Sequence, residues 1–159
     1  MAKAVVDHIV ISQPWRSWLK VVAVGAGAGL LAWLLTWLIA QYIVEPITCR
    51  QLVNAALCVN STPIAGNIAN VLASVVALIV LVRMRVTRPL VVVVVTLALL
   101  WDLTAWTLGL SRIETLLWSV GLYGLSYGLF AWIERSTRTW VVVTIALVLA
   151  LAIRIAVLL

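Results

Sequence analysis

Asp102 is the residue in this chain whose chemistry is hardest to explain away. It sits between Trp101 and Leu103 in a long apolar stretch. A carboxylate placed there costs at least about 2.5–3.5 kcal/mol on membrane-insertion scales, so it needs a partner or a task. Arg154 is the other ionisable residue deep in an apolar run. Asp102 follows Arg88 by 14 residues and Arg154 follows Arg138 by 16. If both segments are helices running the same way, the two charges stand about 21–24 Å above their basic anchors, at nearly equal depth. An Asp102–Arg154 ion pair is one expectation. The other is that Arg154 snorkels to the surface while Asp102 is protonated or bonded by its neighbours.

Other polar side chains fall at similar depth and at helical spacing. Asn67, Asn70 and Ser74 form one stripe, and Ser119, Tyr123 and Tyr127 form another, with Ser126 and Thr36 nearby. They can line a small polar pocket open to one side with Asp102 at its floor, the beginning of a channel or carrier site. They can equally serve as interhelical hydrogen bonds worth about 0.6 kcal/mol each. The residues expected at such an intramembrane site are Asp102, Arg154, Tyr123, Asn70 and Ser74.

The remaining chemistry is sparse. Cys49 and Cys58 are the only cysteines, with His8 the one histidine far from them in sequence. Their spacing is neither that of a CxxC redox pair nor of a zinc site. A disulfide is therefore expected, closing a loop of about ten residues and contributing about 2–3 kcal/mol in the chain-entropy model. Asn60-Ser61-Thr62 matches a glycosylation sequon by chance. There is no HExxH, no glycine-rich phosphate loop, no GxSxG and no paired carboxylates, so no catalytic residue, metal or cofactor is expected.

The elements that must position these residues follow from composition. Of 159 residues 65% are hydrophobic and 10% charged, with a mean hydropathy of +1.21. A soluble domain is about 45–50% apolar and about 25% charged, so the surroundings of most of this chain are lipid. The expected fold is an all-α integral membrane protein, one transmembrane domain over 1–159. Its five spans fall at about 21–44, 64–82, 89–110, 115–133 and 140–159, with an interfacial N-terminal segment and an outer loop at 45–63. Glu45-Pro46 ends the first span and Pro89 opens the third. Val91–Val95 has strand propensity, but a lone strand cannot satisfy its backbone in lipid, so the segment reads as helix. Ser111–Glu114 reads as a tight turn. No cleaved signal peptide is expected, because the first apolar run starts near position 21 and is long.

The net charge of +6 follows the same pattern. Lys3, Arg16, Lys20, Arg83, Arg85, Arg88, Arg135 and Arg138 fall on one side of the five spans; Arg50 and Arg112 fall on the other. That bias places the N-terminus in the cytoplasm and the C-terminus outside, in a multi-pass protein of the plasma (inner) membrane. It speaks against a nucleic-acid partner, since no basic face with interleaved aromatics exists.

Small residues mark the helix contacts. Gly25 and Gly29 form a GxxxG pair, and Gly121, Gly124 and Gly128 share one face of the fourth span. These serve packing within the bundle or a seam to a second copy. Of nine tryptophans, Trp15, Trp18, Trp132 and Trp140 fall at the inner boundary and Trp106 and Trp118 near the outer one, while Trp33, Trp37 and Trp101 are expected in the core.

Five spans, this length and many tryptophans make the chain similar in size and composition to the tryptophan-rich sensory protein family, which binds tetrapyrroles and sterols. The proline-tryptophan loop after that family's first span has no counterpart in EPITCRQLVNAALCVNSTP. The family's usual orientation is also opposite to the one the charges imply, so none of its residues or functions carries over. The function expected from the residues is that of a non-catalytic structural or accessory subunit in the bilayer, packing with itself as a homo-oligomer or with another membrane protein. The alternative is a small oligomeric channel or carrier around Asp102; a lipid-modifying enzyme stands far behind.

Overall fold

Among the described residues the apolar runs fold as helices and no strand occurs. The computed structural model describes residues 15–49, 61–86, 88–136, 144 and 148. The expected fifth span therefore lies outside the described residues except for Thr144 and Val148, which are helical and exposed.

Helix α1 covers Trp15–Ile39 and runs on through a π-helical turn, Ala40–Val44, into the short α2, Glu45–Thr48. Glu45-Pro46 thus does not end the first span. Pro46 stands in the first turn of α2, where its missing N–H is not needed, and the π turn just before it resets the hydrogen-bond register. Helix α3 covers Ser61–Arg83. The third segment is two helices, α4 at Pro89–Leu99 and α5 at Leu103–Trp106, and α6 covers Arg112–Ser136. The valine run of α4 is helical, as lipid requires.

The turn expected at Ser111–Glu114 is instead a helix start. The Glu114 N–H donates to Ser111 Oγ (3.3 Å) and the Ser111 N–H to Glu114 Oε2 (2.9 Å). This reciprocal capping box satisfies two donors of the first turn. The Ser111 backbone N–H, with a smaller contribution from the Ser111 hydroxyl, hydrogen-bonds the ionised carboxylate and holds Glu114 below its ordinary pKa of 4.5.

Three helical stretches are long and apolar enough to cross a membrane: Trp18–Ile47, Ser61–Arg83 and Pro89–Trp106. Helix α6 is as long as α1 but carries Gly, Ser, Tyr and Trp among its leucines, which dilutes its hydropathy. The polar residues of its middle face inward: Ser119, Tyr123, Ser126 and Tyr127 are buried, while Leu117, Trp118, Leu125 and Leu129 are exposed.

The bundle is centred on the α1–α6 contact. Trp18 lies by Gly128, and Gly29 by Ser119, so the two helices are antiparallel. A methyl group at Gly29 would stand 2.6 Å from the Ser119 carbonyl oxygen, and one at Gly25 2.7 Å from Tyr127 Cβ. Only glycine permits this approach. It brings Ser119 Oγ within 2.9 Å of the Gly29 carbonyl, to which it donates, and the Trp18 indole N–H within 3.0 Å of the Gly128 carbonyl. Gly124 and Gly128 face α1, whereas Gly121 is exposed on α6 with open space around it. Among the tryptophans expected in the core, Trp33 and Trp101 are partly buried, but Trp37 is exposed.

Candidate functional site: the break in the third helical segment

The third segment is not one continuous helix over 89–110. Helix α4 ends at Leu99, Leu100 leaves helical geometry, and Asp102 adopts the left-handed conformation with φ 62° and ψ 19° before α5 begins. Aspartate is among the few residues other than glycine that enter this region readily. The sequence showed no glycine or proline at the break, and aspartate takes their place.

A helix broken inside the bundle leaves backbone groups without their normal partners, and lipid cannot supply any. Two asparagines one turn apart on α3 supply them here. Asn67 Nδ2 donates to Asp102 Oδ1 (2.7 Å), and the Asp102 backbone N–H donates to Asn67 Oδ1 (3.2 Å). Asn70 Nδ2 donates to the Leu100 carbonyl (3.2 Å), and Tyr123 OH donates to Asn70 Oδ1 (2.8 Å). Two sets of hydrogen bonds, one at Asn67 and one at Asn70, thus together join α3, the break and α6. Asn70 and Tyr123 are almost wholly buried, and Tyr123 stacks on Tyr127 with ring centres 6.5 Å apart.

Among the described residues, four buried hydroxyls have no hydrogen-bond partner: Ser74, Thr96, Thr104 and Tyr127. Three of them sit four residues from a member of the network, Ser74 from Asn70, Tyr127 from Tyr123 and Thr96 from Leu100. Because α4 runs against α3, all three offsets point toward the same end of the bundle. The fourth, Thr104, closes over Gly66, whose missing side chain leaves room for it.

Of the residues expected at an intramembrane site, Asn70, Tyr123 and Asp102 lie in this layer; Ser74 is one turn away, and Arg154 is outside the described residues. The expected pocket takes a different form. A cavity of about 30 Å³, room for a water molecule or two, is lined by Thr36, Asn70, Thr104, Thr107, Thr115 and Ser119. Asp102 is not among its walls; it is half-buried and bonded to Asn67. Asn67 is the partner the charge-based reading passed over, and Thr96 and Thr104 are hydroxyls it did not single out. The signal for Asn67 was its place at the head of the 67–70–74 stripe.

Cys49 is exposed just past the end of α2, and Cys58 lies outside the described residues. Among the described residues, no group of three or more His, Cys, Asp or Glu side chains comes together. No family model matches the chain, and comparison with curated proteins and with solved structures gives no match.

Proposed function

We propose that this chain is a five-span protein of the plasma (inner) membrane, N-terminus cytoplasmic and C-terminus outside. Its role is that of a structural or accessory subunit packing with itself or with another membrane protein. One observation carries the reading: the polar groups at the break are spent on joining helices. Asn67, Asn70, Tyr123 and the backbone of the break bond one another. An interior bonded in this way holds a fixed shape and presents it to a partner. The distribution of lysine and arginine supports the orientation. A bridge from Cys49 to Cys58 on the oxidising side belongs to the same reading, and it is supported by Cys49 not being a free thiol.

The test is the mass of the protein, with whatever accompanies it, after gentle extraction in its native lipid. A stoichiometric foreign subunit or a defined homo-oligomer is the expected result. A single copy without any companion overturns it.

A second reading, a small oligomeric channel or carrier around Asp102, has its own observation in favour. Discontinuous helices with an ionisable residue at the break build substrate and ion sites in membrane transporters. Proteoliposomes containing the protein would then show pH-dependent flux that Asp102→Asn abolishes; absence of flux in the wild type removes this reading.

A further inference from the structure

The turn between α3 and α4 carries Arg83, Arg85 and Arg88, all exposed. Its backbone is a Schellman motif: the Val86 N–H donates to the Leu81 carbonyl (3.2 Å) and the Arg85 N–H to the Val82 carbonyl (3.0 Å). Val86 packs against the core cluster that holds Leu81, the apolar contact this motif usually includes. The residue that must turn left-handed in such a motif is ordinarily glycine, yet here it is Arg85, with φ 53°. Arg88 repeats the anomaly. It is the N-cap of α4 with φ 52° and makes no side-chain cap bond, although serine, threonine, aspartate or asparagine would cap the helix better. At two positions of one turn the local geometry calls for another residue type, and both carry arginine. Strain kept at a site points to a task for the side chain.

The surroundings indicate which task. Lys20 is exposed at the same end of the bundle: Ile39, Ala40 and Val44, where α1 ends, cluster with Ala65 and Ala69, where α3 begins, so the two helices are antiparallel and the start of α1 stands by the end of α3. The carboxylates of Glu45, Asp102 and Glu114 lie toward the other end, after α1, after α4 and at the start of α6, whereas Glu134, near the end of α6, falls at the basic end next to Arg135 in sequence and adds no net charge with it. Guanidinium groups bind phosphate oxygens in pairs. A basic turn at the end of membrane helices faces the headgroup layer. We propose that the α3–α4 turn is a binding surface for anionic phospholipid headgroups, with Arg83, Arg85 and Arg88 holding the phosphate. This rests on the membrane reading, and not on the accessory role or on which leaflet the turn faces.

The experiment uses the full chain in nanodiscs of equal phosphatidylcholine and phosphatidylglycerol, with retained lipids counted by native mass spectrometry. Incorporation into discs of phosphatidylcholine alone is the control for the membrane reading itself. The wild type retains phosphatidylglycerol in excess. Arg85→Asn with Arg88→Asn, a residue tolerated in the left-handed region, lowers that preference about fivefold per charge and about 30-fold for the pair. The double variant melts in phosphatidylcholine at or above the wild-type temperature, because the strained arginines are gone. Arg83→Gln, inside α3, is a second variant that leaves the turn intact and loses about fivefold. Equal retention of both lipids by the wild type overturns the proposal, as does a preference unchanged in the variants. Displacement of the lipid by inorganic phosphate at equal concentration also overturns it, in favour of a free-phosphate site.

Discussion

Asn67→Ala is the substitution that tests the site most directly. Asn67 makes both hydrogen bonds to Asp102, one to the carboxylate and one from the backbone N–H. Interhelical hydrogen bonds in membrane proteins average about 0.6 kcal/mol and reach about 1.7. Two of them give about 1–3 kcal/mol, and the unpaired N–H left at the break places the loss near the middle, about 2 kcal/mol. That is about a 30-fold change in the unfolding equilibrium, readable by reversible unfolding in mixed micelles followed by far-UV circular dichroism. Asp102→Gly is the matching variant. It removes the carboxylate bond, leaves the backbone N–H to Asn67, and relieves the left-handed conformation. Its loss is therefore the smaller one. Whatever else Asp102 touches cancels in the double-mutant cycle, which isolates a coupling of about 0.6–1.7 kcal/mol for the Nδ2–Oδ1 bond. A loss below about 0.5 kcal/mol for Asn67→Ala, or a coupling indistinguishable from zero, would refute the claim that Asn67 holds the break.

Three further outcomes follow from the same geometry. Gly66→Ala drives a methyl group into the Thr104 side chain and should cost about 1–3 kcal/mol, whereas Gly121→Ala, exposed in open space, should be neutral or stabilising by up to about 1 kcal/mol; thermal melts of the pair in one detergent check the contrast. Thr96 is 1% exposed with an unpartnered hydroxyl, so the isosteric Thr96→Val should raise the melting temperature by the equivalent of about 1 kcal/mol; a lower melting temperature would mean that the hydroxyl is bonded. Glu114 is held below its ordinary pKa of 4.5 by Ser111, so the capping box contributes its full stability above that value and loses it as pH falls through the lowered folded value. Glu114→Gln keeps the cap geometry without the titration, and its melting temperature should fall less than that of the wild type between neutral pH and pH about 3.

What the sequence made visible divides by range. Asp102 stood out by residue type alone, and the stripe of Asn67, Asn70 and Ser74 by its spacing, since both are local signals. The close approach at Gly25 and Gly29 was visible for the same reason. That α6 fills it was not, because the choice between a neighbouring helix and a second copy depends on how the whole bundle assembles. The break at 100–102 was hidden because nothing local encodes it: no glycine or proline marks the place, and its stabilising groups come from α3, some 30 residues away. Treating the segment as one continuous helix put Asp102 level with Arg154, which lies outside the described residues, and passed over Asn67, which bonds to it. Pro46 misled in the opposite sense, because a π turn absorbed the stop.

Residue type at position 102 also separates the two functional readings. Aspartate there has two properties: it tolerates a left-handed backbone and accepts from Asn67, and it carries a charge. Asparagine keeps the first and removes the second. If the break is a packing device, Asp102→Asn retains the fold and the companion subunits while Oδ1 still accepts from Asn67 Nδ2. If the carboxylate also pairs with the expected Arg154, stability in detergent falls even though the Asn67 bonds persist. Flux that disappears in a variant of unchanged stability assigns the charge to transport and the amide-like geometry to the fold.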